Sequence, residues 1–276
     1  NSGVTAFNSN GFTNGTSDSL NQNGQTFASW SWKANGSGSA NTDGSINSTV
    51  SASTTSGFSI VKYTGTQATA TVGHGLGIAP KMIFFKNVDI ADEWLAGVNA
   101  GSLDFTQYAY LNLTNAFSGN GAAFFNDTNP TSSVFSLGNS SNINKSGSTI
   151  IAYCFANVPG YCKIGSYTGN QNANGPFVYT GFKPAFILSK KIDGAMYWHI
   201  FDDKRQGFNP NNYRLNPNSS EVETTTTGVL DFLSNGFKIR TNQQQFGTNG
   251  ATYIYMAFAA APFVANSGQS IPTTAR

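Results

Sequence analysis

Two adjacent carboxylates, Asp202 and Asp203, are the side chains in this sequence that most suggest acid–base chemistry. A glycosidase needs two carboxyl groups that flank one sugar bond. Asp202 and Asp203 directly follow a predicted strand over residues 197–201, and neighbouring strand residues point to opposite faces. A solvated loop is therefore the better interpretation. The chain also has no Gly-x-Ser-x-Gly elbow, and neither His74 nor His199 has a clear acidic partner in sequence, so we predict no catalytic residue and no enzymatic activity.

The histidines and cysteines predict no metal site and no cofactor. His74 lies in the glycine-rich segment 72–77, which lacks the Gly-Lys-Ser/Thr end and the following helix of a phosphate loop. A tight turn between strands is predicted there. Cys154 and Cys162 lie at the end of one apolar segment and the start of the next. A hairpin-like return could join them, but two free thiols are the favoured interpretation, because small disulfide scaffolds usually carry more cysteines.

Four aromatic residues are candidates for binding a sugar. A flat ring stacks on the apolar face of a pyranose, while Asn and Asp side chains bind its hydroxyls. Tyr108, Tyr110, Phe208 and Tyr213 lie in stretches without regular patterning and are the predicted glycan contacts. In so aromatic a chain, packing in a core or a subunit interface is the competing interpretation.

Composition narrows the class of protein. Of the 276 residues only 10% are charged and 13% are aromatic, and the formal net charge is +2. Soluble domains average about a quarter charged residues. Gly, Asn, Ser and Thr replace the missing charges, as is typical of turns and solvated strand faces. Because no basic run is interleaved with aromatics, nucleic acid is not an expected partner, and no apolar run approaches the ~18 residues of a membrane span.

An internal repeat organises the elements that carry these residues. Tyr63-Thr-Gly65 recurs as Tyr167-Thr-Gly169, 104 positions later, and Trp94 and Trp198 keep the same offset, which argues for shared packing. The predicted domains are the C-terminal part of a preceding unit at 1–34, a Gly/Ser/Asn/Thr linker or arm at 35–56, repeat units at 57–157 and 158–265, and a C-terminal tail at 266–276.

Two of these segments leave alternatives open. Residues 1–34 have two interpretations. Either the chain is a fragment of a longer protein, or these residues form a half-unit that completes its sheet with a neighbouring subunit. The segment 35–56 contains almost no apolar residues and no helix signal. Flexible coil is the default interpretation of such a composition, and an extended arm along a neighbouring subunit is the alternative.

The pattern of apolar residues predicts an all-β fold. Apolar segments such as 81–86 and 184–188 are short and rich in Phe, Ile and other strand formers, and Gly, Asn or Pro lies in each gap. No stretch keeps a helical period behind a capping box. A unit of about 100 residues with seven or eight strands has the size of a sandwich. We therefore predict tandem antiparallel β-sandwich units, jelly-roll-like, with few or no helices.

Several motifs resemble one family. Gly175-Pro-Phe-Val-Tyr-Thr-Gly-Phe-Lys-Pro184, Asp231-Phe-Leu-Ser-Asn-Gly-Phe-Lys238 and Tyr253-Ile-Tyr-Met-Ala-Phe-Ala259 are similar to a domain of unknown function common in tail-fibre-like structural proteins of marine and aquatic tailed bacteriophages. The resemblance covers about residues 58–263. It implies a location on the virion and supplies no catalytic residues.

These observations favour a structural module of a phage tail fibre or spike that contributes to host-surface glycan recognition. The expected partners are further copies of the chain, as in a homotrimer, other virion proteins and a host glycan. Capsid decoration is one alternative, since cement proteins are also β-rich and trimeric, and a carbohydrate-binding module of a secreted bacterial protein is another. A depolymerase spike would need paired carboxylates that the sequence lacks.

Overall fold

The computed structural model describes residues 2–225, 228–260, 265–266 and 269–270. Antiparallel strands dominate this part of the chain, its helices are single turns, and none of its sheets closes into a barrel. The predicted all-β sandwich class is confirmed. No helix in the described ranges is long and apolar enough to cross a membrane. The chain divides into two compact units, Asn1–Lys33 and Ala34–Arg276.

The small unit is a hairpin followed by one helical turn. Strands β1 (Val4–Asn8) and β2 (Gly11–Asn14) pair antiparallel, and helix α1 (Asp18–Asn21) follows. Every residue of these elements is exposed. Residues 25–34 have no regular secondary structure.

The larger unit begins with a sandwich of an eight-stranded and a two-stranded sheet. The order of the large sheet is β10-β9-β8-β7-β12-β5-β4-β3, and β11 pairs with β6. Phe85, Ile150 and Phe135 are fully or almost fully buried between the two sheets. The elements are β3 (Ser39–Asn41), β4 (Ser48–Ser53), β5 (Phe58–Thr64), β6 (Ala70–Gly73), β7 (Met82–Asn87), β8 (Leu95–Val98), β9 (Gln107–Tyr110), β10 (Ser118–Gly119), α2 (Gly121–Phe125), β11 (Val134–Leu137), α3 (Ser141–Asn144) and β12 (Thr149–Phe155).

Part of the segment interpreted as a linker or arm belongs to this sheet. Within residues 35–56, β4 pairs with β5 along its whole length and β3 pairs with β4. Ile46 and Val50 are buried in the core of the first sandwich. The segment is therefore not a flexible coil, because two well-placed apolar side chains and a ladder of backbone hydrogen bonds offset its polar composition.

The second sandwich repeats the central strands of the first. Its sheets have the orders β13-β19-β15-β16 and β14-β18-β17, so β13, β19, β15 and β16 match β5, β12, β7 and β8. The elements are β13 (Cys162–Thr168), β14 (Phe177–Tyr179), β15 (Pro184–Lys191), β16 (His199–Asp202), β17 (Leu230–Leu233), β18 (Gly236–Ile239), α4 (Gln244–Gly247), β19 (Thr252–Ala259), β20 (Ala265–Asn266) and β21 (Gln269–Ser270), the last two forming a separate pair.

The repeated Tyr-Thr-Gly motif makes the same hydrogen bond in both sandwiches. The buried hydroxyl of Tyr63 donates to the carbonyl of Ile143 in α3 at 2.7 Å, and that of Tyr167 donates to the carbonyl of Phe246 in α4 at 3.1 Å. Each tyrosine thus ties its strand to the helical turn that precedes the last strand of the unit. The need for this hydrogen bond explains why the tyrosine of the motif recurs.

The two sandwiches pack sheet against sheet. Strand β7 of the first sandwich is apolar on both faces, and Met82 and Phe84 on its outer face are buried. The rings of Phe84 and Trp198 lie 6.3 Å apart across the interface, and the Trp198 indole donates to the carbonyl of Tyr110 at 2.8 Å. Trp94, at the equivalent position, stacks on Tyr153 of its own sandwich. The repeat therefore uses one residue type in two different packing roles.

Candidate functional site

The structure separates the four aromatic residues predicted to contact glycan. Tyr108 and Tyr110 are half-buried neighbours on β9, with ring centroids 5.4 Å apart, and Tyr108 packs against Phe124 of the core. Burial raises the pKa of Tyr110 to about 12. Phe208, 69% exposed, and Tyr213 lie in the long loop between β16 and β17. Within the described ranges no ring contact joins the two pairs, and their role in binding stays a prediction.

Asp202, one of the two adjacent carboxylates considered for acid–base chemistry, makes structural contacts. Asp202 accepts hydrogen bonds from the backbone of Lys204 and from Arg205, which also pairs with Glu223. Burial acts to raise the pKa of Asp202, but the bonds from Arg205 outweigh it and hold the pKa below its ordinary value. Asp202 therefore organises the loop after β16.

Both histidines are buried. Nδ1 of His74 accepts from the backbone of Leu76, so Nε2 donates to the carbonyl of Thr131 at 3.1 Å. Nδ1 of His199 lies 2.8 Å from the side-chain oxygen of Asn216, and burial lowers the pKa of His199 to about 3. Neutral rings in these positions stabilise turns and loops. Where a tight turn was predicted around His74, residues 74–81 form a longer connection from β6 to β7, with Gly75 and Gly77 at positive φ.

Cys154 and Cys162 are buried free thiols. Burial raises the pKa of both, to about 12 for Cys154. Thiols with such a high pKa are poor nucleophiles, and no cluster of potential metal-ligating residues occurs in the part of the chain that the structure describes.

The candidate site is a groove of about 650 Å³ that the sequence interpretation missed. One wall is formed by residues 163–168 of β13 and the other by residues 176–179 around β14. Residues 99–101, which follow β8 of the first sandwich, together with Lys81 and Asn157 complete the lining. Both sandwiches therefore contribute to it.

The groove exists because, among the described residues, the second sandwich has no strands like those that cover the same place in the first. There, β4 pairs with β5, and Ile46 forms a bridge to Val72 in β6, so residues 46–53 cover the edges of both sheets. In the second sandwich β13 and β14 are edge strands. The connection from β12 to β13 spans only residues 156–161, too short to add a strand of its own. The edge therefore stays open.

Asn157 closes one end of this edge. The backbone N–H of Ile164 donates to its side-chain oxygen at 2.7 Å, and its side-chain amide donates to the carbonyl of Ile164 at 3.3 Å. The backbone of Cys162 is likewise paired with that of Val158. These contacts occupy the groups that an added strand would need. Along an edge strand the backbone N–H and C=O groups of every second residue point away from the paired strand. Those of Ser166, two residues after Ile164, therefore point into the groove beyond Asn157.

Two exposed aromatic rings stand at the rim. Phe177 and Tyr179 alternate with the buried Val178 on β14 and are 46% and 58% exposed. Lys163 donates to the carbonyl of Tyr179 at 2.8 Å, and its ammonium lies 5.3 Å from the centre of the Tyr179 ring. This contact fixes a cation beside an accessible ring.

The floor of the groove presents a neutral hydroxyl. Gly165 leaves room for Tyr255, since a Cβ at this position would lie 2.7 Å from the Tyr255 oxygen. Burial raises the pKa of Tyr255 to about 12, so the phenol remains protonated at neutral pH. Val61 is the equivalent of Gly165 in the first sandwich, where β4 covers the edge instead.

A family model for a domain of unknown function, DUF7483, matches residues 1–262. The chain belongs to this family. No curated protein and no solved structure was found to match it. The match shows that the DUF7483 domain includes the hairpin and the strands β3 and β4, which the resemblance noted from sequence motifs left out. The family carries no assigned activity, so the groove must be interpreted from its own chemistry.

Two aromatic residues in the sequence could have located the groove in this DUF7483 chain. Phe177 and Tyr179 replace the small residues Thr71 and Gly73, which take the equivalent places beside Val72 in the first unit. A large ring at those places would collide with the segment that covers the first sandwich, since a Cβ on Gly73 would already lie 1.7 Å from the side chain of Asn41. Aromatic residues there indicate an uncovered edge.

Proposed function

We propose that this DUF7483 chain is a structural module of a phage tail fibre or spike, and that its groove binds a host-surface saccharide. The groove carries the proposal: exposed aromatic rings, a protonated phenol, amide and hydroxyl side chains, the fixed Lys163 and a second lysine converge on one open cleft that both sandwiches line. Rings for the apolar sugar face and polar groups for its hydroxyls are the components of a saccharide site.

The construction of the module also supports a structural role. The two sandwiches share a buried, aromatic interface, which holds them as one stiff body, and only 10% of the chain is charged. The similarity of its motifs to tail-fibre-like phage proteins supports a location on the virion. Self-association, with a homotrimer as the expected form, belongs to the same proposal.

A saccharide fits the groove better than an added peptide strand. A strand paired to β13 would need the N–H and C=O groups of Cys162 and Ile164, and both residues already make these bonds to Val158 and Asn157. A small polar ligand needs only the part of the groove beyond Asn157. There the rings of Phe177 and Tyr179 remain accessible.

The binding test uses the full chain on an array of bacterial surface oligosaccharides, with dissociation constants of the hits measured by calorimetry. We expect Tyr179→Ala to weaken binding at least tenfold. Phe208→Ala tests the competing site predicted from the sequence, and because this exposed ring lies outside the groove, the groove proposal expects unchanged binding. Equal loss in Phe208→Ala would move the site to the loop after β16. A capped peptide of residues 41–53 is the probe for a strand. Binding of this peptide without any saccharide hit would overturn the saccharide proposal.

The location is tested by electron cryo-microscopy of the particle that carries the protein. Density for two packed sandwiches on a fibre or spike supports the proposal. The same density on the capsid lattice would make the protein a decoration protein. Glycan binding by a monomer that no particle contains would favour a secreted carbohydrate-binding module and overturn the virion role.

A further inference from the structure

The charged groups that line the groove have one sign. Lys81 and Lys163 line it, and none of its lining residues is Asp or Glu. The ion pairs found within the described ranges join other cations, namely Lys191, Lys204, Arg205 and Arg240, to carboxylates elsewhere. A chain with 15 basic and 13 acidic residues therefore places two cations and no anion around this groove. Such a cleft attracts anionic ligands.

The position of Lys163 indicates where a bound ligand would carry its negative charge. Its ammonium is fixed by the carbonyl of Tyr179 at 2.8 Å and lies 5.3 Å from the centre of that ring. An ammonium has three donors, of which this bond uses one. The ammonium lies over one face of the Tyr179 ring, so a sugar that enters the groove beside this ring would present its substituents to the remaining donors.

The other polar groups suit hydroxyls. Ser166, Asn99 and the protonated phenol of Tyr255 line the same cleft, and all of these groups are neutral. Two lysines beside neutral donors match a saccharide that carries carboxylates on some of its rings and hydroxyls on the rest. A phosphate-binding site would more commonly offer Arg forks or a helix N-terminus, and the groove is lined by strands and loops.

We infer that the groove is selective for acidic saccharides whose carboxylate lies on the sugar ring, of the uronic acid type. This inference rests on the proposed function and specifies its ligand class. The charge contribution is electrostatic, so binding of the acidic form should weaken as salt is raised from 50 to 500 mM on the order of tenfold, whereas a neutral form should respond little.

The test compares oligosaccharides with and without charge on one skeleton. The probes are oligogalacturonate, oligomannuronate and hyaluronan fragments, each beside its methyl ester, with calorimetry on the full chain. We expect at least one acid form to bind tenfold or more tightly than its ester, and Lys163→Gln and Lys81→Gln each to reduce that ratio severalfold. Lys62→Gln is the control, because Lys62 is exposed on β5 and outside the groove.

The outcomes separate the two proposals. If the esters bind as tightly as the acids, the preference for acidic sugars is wrong while saccharide binding stands. If the lysine variants keep the full acid-to-ester ratio, the selectivity comes from other groups and the inference is overturned. If neither these probes nor any glycan on the array binds, the saccharide function itself fails. Circular dichroism of each variant excludes misfolding as the cause of lost binding.

Discussion

The rings of Phe155 and Phe258, which end equivalent strands of the two sandwiches, lie 6.1 Å apart and meet edge to face. Equivalent residues of the two repeat units thus contact each other across the interface. Phe155 also packs against Phe58 and Phe84 of the first sandwich, and Phe258 packs against Phe186 of the second. This chain of rings joins both outer sheet faces. We therefore expect the two sandwiches to unfold together as one cooperative unit.

Removing one ring of this pair should destabilise the whole unit. Phe258 is almost fully buried, so Phe258→Ala is expected to lower the free energy of unfolding by about 3 kcal/mol. Chemical denaturation followed by fluorescence measures this value. Phe208→Ala, at a ring that is 69% exposed, is the control and should change it by less than about 0.5 kcal/mol. Two separate transitions in the wild type would contradict the expected cooperativity.

The strands before the first repeat unit are expected to contribute to stability. Val50 on β4 is only 7% exposed, and Val50→Ala should lower the free energy of unfolding by roughly 2 kcal/mol. Val222→Ala makes the same chemical change at a side chain that is 90% exposed, so little effect is expected. If segment 35–56 were a flexible linker in solution, the two variants would behave alike in thermal and chemical denaturation.

The sequence predicted the repeat. It did not predict that β3 and β4 cover the sheet edges of the first sandwich while the equivalent edges of the second are open. Identical residues at a constant offset, such as Tyr63 and Tyr167, revealed the register, and these tyrosines make equivalent hydrogen bonds. The strands β3 and β4 escaped prediction because their residues are mostly Ser, Thr and Asn. Of the apolar residues in segment 35–56 only Ile46 and Val50 are buried, and two apolar positions do not establish a period.

The groove escaped prediction for a related reason. It is defined by a missing strand, and a sequence pattern reports the residues that are present. Tyr108 and Tyr110 drew attention as aromatic residues in a stretch without regular patterning, yet their side chains lie on β9 and pack against the core. Phe177 and Tyr179 alternate with Val178 on β14, and only tertiary structure shows that their side is open.

Asn157 is predicted to protect the open edge of β13. Asn157→Ala removes both of its hydrogen bonds to the backbone of Ile164 and should lower the free energy of unfolding by about 1 kcal/mol. Because the freed groups can pair with a second chain, we also expect stronger self-association in light scattering. Asn120→Ala is the control, since that side chain is exposed and makes no capping bond. Unchanged association in Asn157→Ala would show that the edge needs no protection.

Lys190 should make the stability of the interface depend on pH. Its ammonium is buried between the sandwiches, where it donates to the carbonyls of Thr114 and Met196, and burial lowers its pKa to about 8. The unfolded chain keeps an ordinary pKa near 10.4. Between these values the unfolded state binds more protons, so raising the pH through this window favours folding by about 1 kcal/mol per pH unit for this group.

The measurement is the difference in unfolding free energy between wild type and Lys190→Met at pH 7.5, 8.5 and 9.5. The buried thiols oppose the trend, because their raised pKa lets only the unfolded chain ionise in this range. They are present in both proteins and cancel in the difference. The wild type should therefore gain relative to Lys190→Met as pH rises above 8. Phe258→Ala, which removes no ionisable group, should differ from wild type by a constant amount, and a constant difference for Lys190→Met as well would show that the lysine is not desolvated.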